Sequence, residues 1–180
     1  EVLVEGVGYP VAHFENKHER IEWDAFVRMM ENAQRIWTED EIVEMGVAWI
    51  DSPFLQRTRL IAGALFTPKQ FYRWLASDTK PSRLGASVQM FTCITTTYQE
   101  LDARRLRLEV RIDEGYAPCR AFFLLSKGGF RDIPRLLGKG RAAVDMLETE
   151  RGAIFDVTLP PGSERVSVLR RALRWVSAPA

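Results

Sequence analysis

Arg105-Leu-Arg-Leu-Glu-Val-Arg-Ile112 alternates without a break between charged and aliphatic side chains. Successive side chains on a strand point to opposite faces, so this stretch predicts a strand with one wet and one buried face. Leu106, Leu108, Val110 and Ile112 take the inner face, and Arg105, Arg107, Glu109 and Arg111 the outer one. Toward the C-terminus, residues Pro118 to Gly138 read as one long helix interrupted by Gly128-Gly129 and stopped at Gly138. Two further alternating stretches follow, about Ala142 to Glu148 and Ala153 to Leu159, joined by a tight Arg151-Gly152 hairpin. Toward the N-terminus, Ala86 to Tyr98 is rich in β-branched and aromatic residues and predicts another strand, with Glu100 to Ala103 as the connecting turn.

Helical spacing dominates the first half of the chain. Gly6, Gly8 and Pro10 leave residues 1–20 irregular. Trp23, Phe26, Val27, Met30, Ala33, Ile36 and Trp37 then fall on one helical face. Thr38-Glu-Asp-Glu41 is a capping box that opens a helix over Glu39 to Ile50. Ser52-Pro53 and Thr67-Pro68 each place a cap before a proline at the first helical position, predicting one helix to about Phe66 and a short one carrying Phe71, Tyr72, Trp74 and Leu75. Near the end, Val166, Leu169, Leu173 and Val176 form a narrow stripe suited either to pairing with a second copy or to packing on the same domain. The fold class is therefore α+β: N-terminal helices, then an antiparallel sheet of about four strands interrupted by a long helix, and a C-terminal exit helix. Residues 1–163 form the domain, and residues 164–180 are a helix leaving it. The start at Glu1, without methionine, predicts a piece of a longer polypeptide.

The bulk numbers exclude some functions. A net charge of +1 gives no electrostatic case for nucleic acid or an acidic membrane surface. No stretch reaches the roughly 18 consecutive apolar residues of a membrane span, and no leader opens the chain, so a cytoplasmic location is expected. Cys93 and Cys119 sit in or beside apolar runs and read as buried free thiols. Catalytic machinery is missing: Gly128-Gly129 and Gly138-Lys-Gly140 match no phosphate-cradling loop, and Glu39-Asp40-Glu41 sits where a helix N-terminus favours acids. Cys119 at a helix start beside Arg120 has the setting of a reactive thiol, but Phe122 and Phe123 favour a buried, inert one. His13 and His18 are the two histidines, both in the polar N-terminal segment. With two distant cysteines they make a poor zinc set; haem needs a single axial ligand, from His13, His18, Cys93 or Cys119, and the plainer reading is two solvated histidines. No cofactor is identified, and no enzymatic activity is expected.

What stands out is an aromatic and apolar surplus around the first two strands and the long helix, the composition of a pocket lining. Trp74, Met90, Phe91, Cys93, Cys119 and Phe122 are the candidate ligand-binding residues, with Arg57, Arg59 and Arg120 as polar partners.

Three segments carry a family resemblance. Arg20-Ile-Glu-Trp-Asp-Ala-Phe26 has the form R-x-x-W-x-x-F; Ala117-Pro-Cys-Arg-Ala-Phe-Phe123 with Gly128-Gly-Phe-Arg-Asp-Ile-Pro-Arg-Leu-Leu-Gly138 forms a helix and a P-x-L-L-G turn; Ile154-Phe-Asp-Val-Thr-Leu-Pro-Pro161 is a closing strand. Together they resemble bacterial sensory input domains that precede PAS, histidine-kinase, diguanylate-cyclase or nucleotide-cyclase modules. The element order is also similar to the haem-nitric-oxide-binding and vinyl-reductase-like ligand-binding folds. The Tyr-x-Ser-x-Arg motif of the haem branch is missing, and its haem-binding residues do not carry over. The resemblance implies a signal-input domain of a bacterial signalling protein, binding a small apolar ligand or partner. It would act as a homodimer, relaying its state through the C-terminal helix to an output domain in the same chain. The competing expectations are an effector-binding or dimerisation domain of a transcription regulator, a small enzyme using Cys119, and a dimerisation module without a ligand.

Overall fold

The computed structural model describes residues 2–16, 19–51, 63, 66–76 and 91–163. A 3-10 turn, Val2–Val4, and a short helix α1, Val11–Glu15, open the chain, where the glycines and proline predict no long element. They are followed by helices α2 (Trp23–Gln34), α3 (Glu39–Ile50) and α4 (Pro68–Leu75). Strands β1 (Ile94–Glu100) and β2 (Arg105–Ile112) precede helix α5 (Arg120–Leu136), and β3 (Ala143–Thr149) and β4 (Gly152–Thr158) complete the fold. The sheet is antiparallel throughout, in the order β1-β2-β4-β3. The class is α+β.

The sheet follows the alternation of its sequence. On β2, Leu106, Leu108, Val110 and Ile112 are buried, as are Ala153, Phe155 and Val157 on the neighbouring β4. On the outer face Arg107 lies directly opposite Asp156, and the two form a two-pronged ion pair at 2.7 and 2.8 Å. Strand β1 begins later than its composition suggests, because residues 91–93 form the approach to it and residues 86–90 of that stretch lie outside the described residues. It ends later too, at Glu100, where pairing with Leu106 outweighs the weak strand preference of Gln and Glu. The turn after it is held by Asp102, whose Oδ1 accepts from the backbone N–H groups of Arg104 and Arg105, both at 2.8 Å.

The helix boundaries follow their caps. In α3, the Thr38 N–H donates to Glu41 Oε2 at 2.8 Å, and the Glu41 N–H donates back to the Thr38 hydroxyl at 3.4 Å. That cap needs Thr38 outside the helix, so α2 stops at Gln34 rather than running to Trp37. Thr67 and Gln70 form the same reciprocal cap at α4, with Pro68 at its first position. The helix expected from Ser52 to Phe66 and the stripe from Val166 to Val176 lie outside the described residues.

Helices α3 and α5 pack so closely that their glycines form the contact. A Cβ built on Gly46 would run into the Leu125 carbonyl, and one on Gly128 into the Val43 carbonyl, so no larger residue fits at this crossing. Buried Asn32 fixes the N-terminal segment to α2 by donating to the Leu3 and Glu5 carbonyls at 3.1 and 2.8 Å. At the far end of α5, fully buried Asp132 pairs with Arg135 and, at 3.0 Å, with Arg141, while Arg131 reaches Glu44 of α3 at 2.7 Å. This network ties α5 both to α3 and to the segment entering β3. No helix among the described residues is long and apolar enough to cross a membrane.

Candidate functional site

Helix α5 lies across the inner face of the sheet, touching it firmly over β4, where the Phe130 and Phe155 rings meet edge to face at 5.0 Å. Over β1 and β2 it stands off, and a cavity of about 300 Å³ opens between them. Ile94 and Thr96 of β1 and Leu108 and Val110 of β2 form its floor. Its roof is one stripe of α5: Phe122, Leu125, Ser126, Gly129, Phe130 and Ile133. These residues recur at intervals of three and four, the spacing of a single helical face. Phe26 of α2, Met45 and Gly46 of α3, and Leu75 of α4 close the sides. The Gly46–Leu125 contact that seats α3 on α5 is thus also part of the cavity wall.

The lining is aliphatic and aromatic, with two hydroxyls. The Ser126 hydroxyl donates to the Phe122 carbonyl at 2.8 Å, one turn back along α5. Thr96 points inward because it alternates with Thr95 and Thr97, and it pairs across the strands with Val110. The described lining residues include no acid, no base, no histidine and no cysteine.

Of the six residues proposed from sequence, Phe122 lines this cavity. Phe91 packs one layer behind it, its ring 5.0 Å from Trp23 and 4.9 Å from Phe26, and Trp23 in turn touches Phe122 at 5.6 Å. Trp74 packs with Phe66 and Phe71 on the α4 side. Cys93 and Cys119 are free, buried thiols within the core. Burial pushes the Cys119 thiol up to about 11 against the pull of the Phe122 and Ala121 N–H groups, and burial likewise raises Cys93. Cys119 caps α5 from an extended conformation, yet it is held protonated, the opposite of what a nucleophile requires. Met90, Arg57 and Arg59 lie outside the described residues, and Arg120 is engaged in ion pairs with Glu39 at 2.7 Å and with Glu148.

Phe130, also in the lining, belongs to the aromatic surplus of the sequence, whereas Met45, Leu75, Thr96 and Ser126 were not singled out by sequence. The available signals were positional. Ser126 is a small polar residue on an aromatic helical stripe, and Thr96 is a polar residue in the inward phase of its strand. Both readings need to know which helical face meets the sheet, and only the fold supplies that.

No protein-family model matches the chain, and no curated protein matches it. Among solved structures, a crystal structure of a mutant H-NOX protein from K. algicida in its Fe(II) unliganded form matches with a TM-score of 0.60 at 10% identity. The likeness covers 89% of this chain and 87% of that one. The fold is shared with an H-NOX protein. At that identity the likeness concerns the path of the backbone. The described residues do not fit a haem: the cavity lining offers no histidine, cysteine or tyrosine as an axial ligand and no cation to meet the carboxylates. The His13 ring is bonded to the Arg20 carbonyl at 3.1 Å and stacked on Tyr9, and it is not part of the lining. Among the described residues no cluster of three metal-ligating side chains occurs.

Proposed function

We propose that this chain is the signal-input domain of a bacterial signal transduction protein, binding a small apolar ligand in the cavity beneath α5. The supporting observation is the cavity itself, about 300 Å³ of apolar-lined space beside the described hydrophobic core. The space is partly open at its mouth, and a concave apolar lining of this size with a few polar groups is the usual form of a small-molecule site. The fold shared with an H-NOX protein supports the same reading, with a different ligand from haem. Relay would proceed by differential affinity: a ligand that prefers one seating of α5 over the sheet shifts the population toward it. The glycine contact makes α3 follow α5, and the segment after Ser163 would carry the change, as a dimer, to an output domain.

The test is native mass spectrometry of the protein isolated from its own cells, beside a Ser126→Phe variant whose new ring enters the cavity. A copurifying small molecule in the parent protein that is missing from the folded variant is expected. A parent protein without any bound molecule, giving the same signalling output as the variant, would exclude the reading.

A further inference from the structure

The chemistry of the ligand follows from the two hydroxyls, given that the cavity is a ligand site. We infer that it takes an uncharged molecule of bicyclic size carrying one hydrogen-bond donor, which Thr96 and Ser126 recognise from the sheet and helix sides. Size comes from volume. An engineered apolar cavity of about 150 Å³ takes up benzene, so twice that space suits about ten to twelve non-hydrogen atoms. The described lining favours an uncharged molecule: those residues place no ionisable side chain in it, and a carboxylate or ammonium among them would be desolvated without a partner.

The donor requirement comes from Ser126. Its proton is already committed to the Phe122 carbonyl, so toward the cavity its oxygen can only accept. Thr96 has no hydrogen bond to any described residue, although it faces an apolar floor where its cross-strand partner is Val110. Valine would have the same shape and a stronger preference for that surface. Thr96 is part-buried, so its hydroxyl is left to water in the empty cavity and needs a new partner once an occupant displaces that water. A ligand O–H or N–H satisfies one or both oxygens, and an apolar ligand of the same shape leaves them bare.

Calorimetric titration of the full chain with three probes of one outline tests this: 2-naphthol, 2-methylnaphthalene and 2-naphthoate. The expected order puts 2-naphthol about five- to tenfold tighter than 2-methylnaphthalene, the worth of one hydrogen bond. The 2-naphthoate arm is expected roughly a hundredfold weaker than 2-naphthol, because its charge finds no partner. In the Thr96→Val, Ser126→Ala double variant, 2-naphthol loses its advantage while 2-methylnaphthalene binds at least as tightly as in the parent protein, which also reports that the variant is folded. Equal binding of all three probes, or an advantage that survives in the double variant, would overturn the ligand class and leave the cavity as a ligand site. Failure of all three to bind would overturn both.

Discussion

Tyr72 and Pro134 show how single residues settle the placement of the long helix. Proline has no N–H, so Pro134 inside α5 leaves the carbonyl four residues earlier, that of Phe130, without its helical donor. The hydroxyl of fully buried Tyr72, from α4, donates to that carbonyl. Burial, and the charge of Asp132 nearby, hold the Tyr72 phenol protonated well above its ordinary range, so it remains a donor. The proline that breaks the helical ladder thus creates the acceptor that pins α4 to α5. Tyr72→Phe is expected to cost about 1–3 kcal/mol, the penalty of a buried carbonyl left bare. In a Pro134→Ala background, where the restored N–H reaches Phe130, the same substitution should cost less by about 1 kcal/mol. Urea unfolding of the four proteins in this cycle measures the coupling; purely additive losses would mean that the two residues do not share that carbonyl.

Among the elements, the α3–α5 crossing matters most, because one contact both stabilises the helix pair and shapes the cavity. Gly128→Ala places a methyl group against the Val43 carbonyl, which belongs to helix backbone and cannot swing aside. Overpacking of this kind costs about 1–3 kcal/mol, so the urea midpoint should fall with an unchanged slope. Gly140→Ala is the control, since its Cβ would meet Pro160 at an ordinary 3.5 Å and should change stability little. Equal effects at the two sites would mean that α3 does not sit on α5 at Gly128. The sequence made the elements legible and left their crossing dark. The Thr38 box and the β2 alternation announced a helix and a strand within a few residues, whereas Gly128-Gly129, expected to interrupt the long helix, lies inside an unbroken α5 where the glycines serve the close approach of α3. Gly46 carried no such signal, as a glycine inside a helical pattern says nothing about which carbonyl it will meet.

At the scale of the whole molecule, the α+β order and the four antiparallel strands were readable because alternation and capping are local. The cavity was readable only in part. The aromatic surplus was spread over both halves of the chain; Phe122 is in the lining, while Phe91, Trp74, Cys93 and Cys119 pack behind or beside it. Composition cannot separate a residue that lines a space from one that fills it; that depends on where α5 lifts away from β1 and β2. Fold likeness to an H-NOX protein at 10% identity adds the same lesson, since the backbone is shared while the described lining lacks a haem ligand. The central claim is that the space under α5 is a ligand site, and methyl-resolved NMR during titration with 2-naphthol tests it most directly. Ring currents from the bound probe should shift the methyl signals of Met45, Leu75, Ile94, Val110, Leu125 and Ile133, which line the cavity, and leave outward-facing Ile154 and Leu147 unmoved. Shifts confined to the outer face, or no saturable shift at all, would contradict the account.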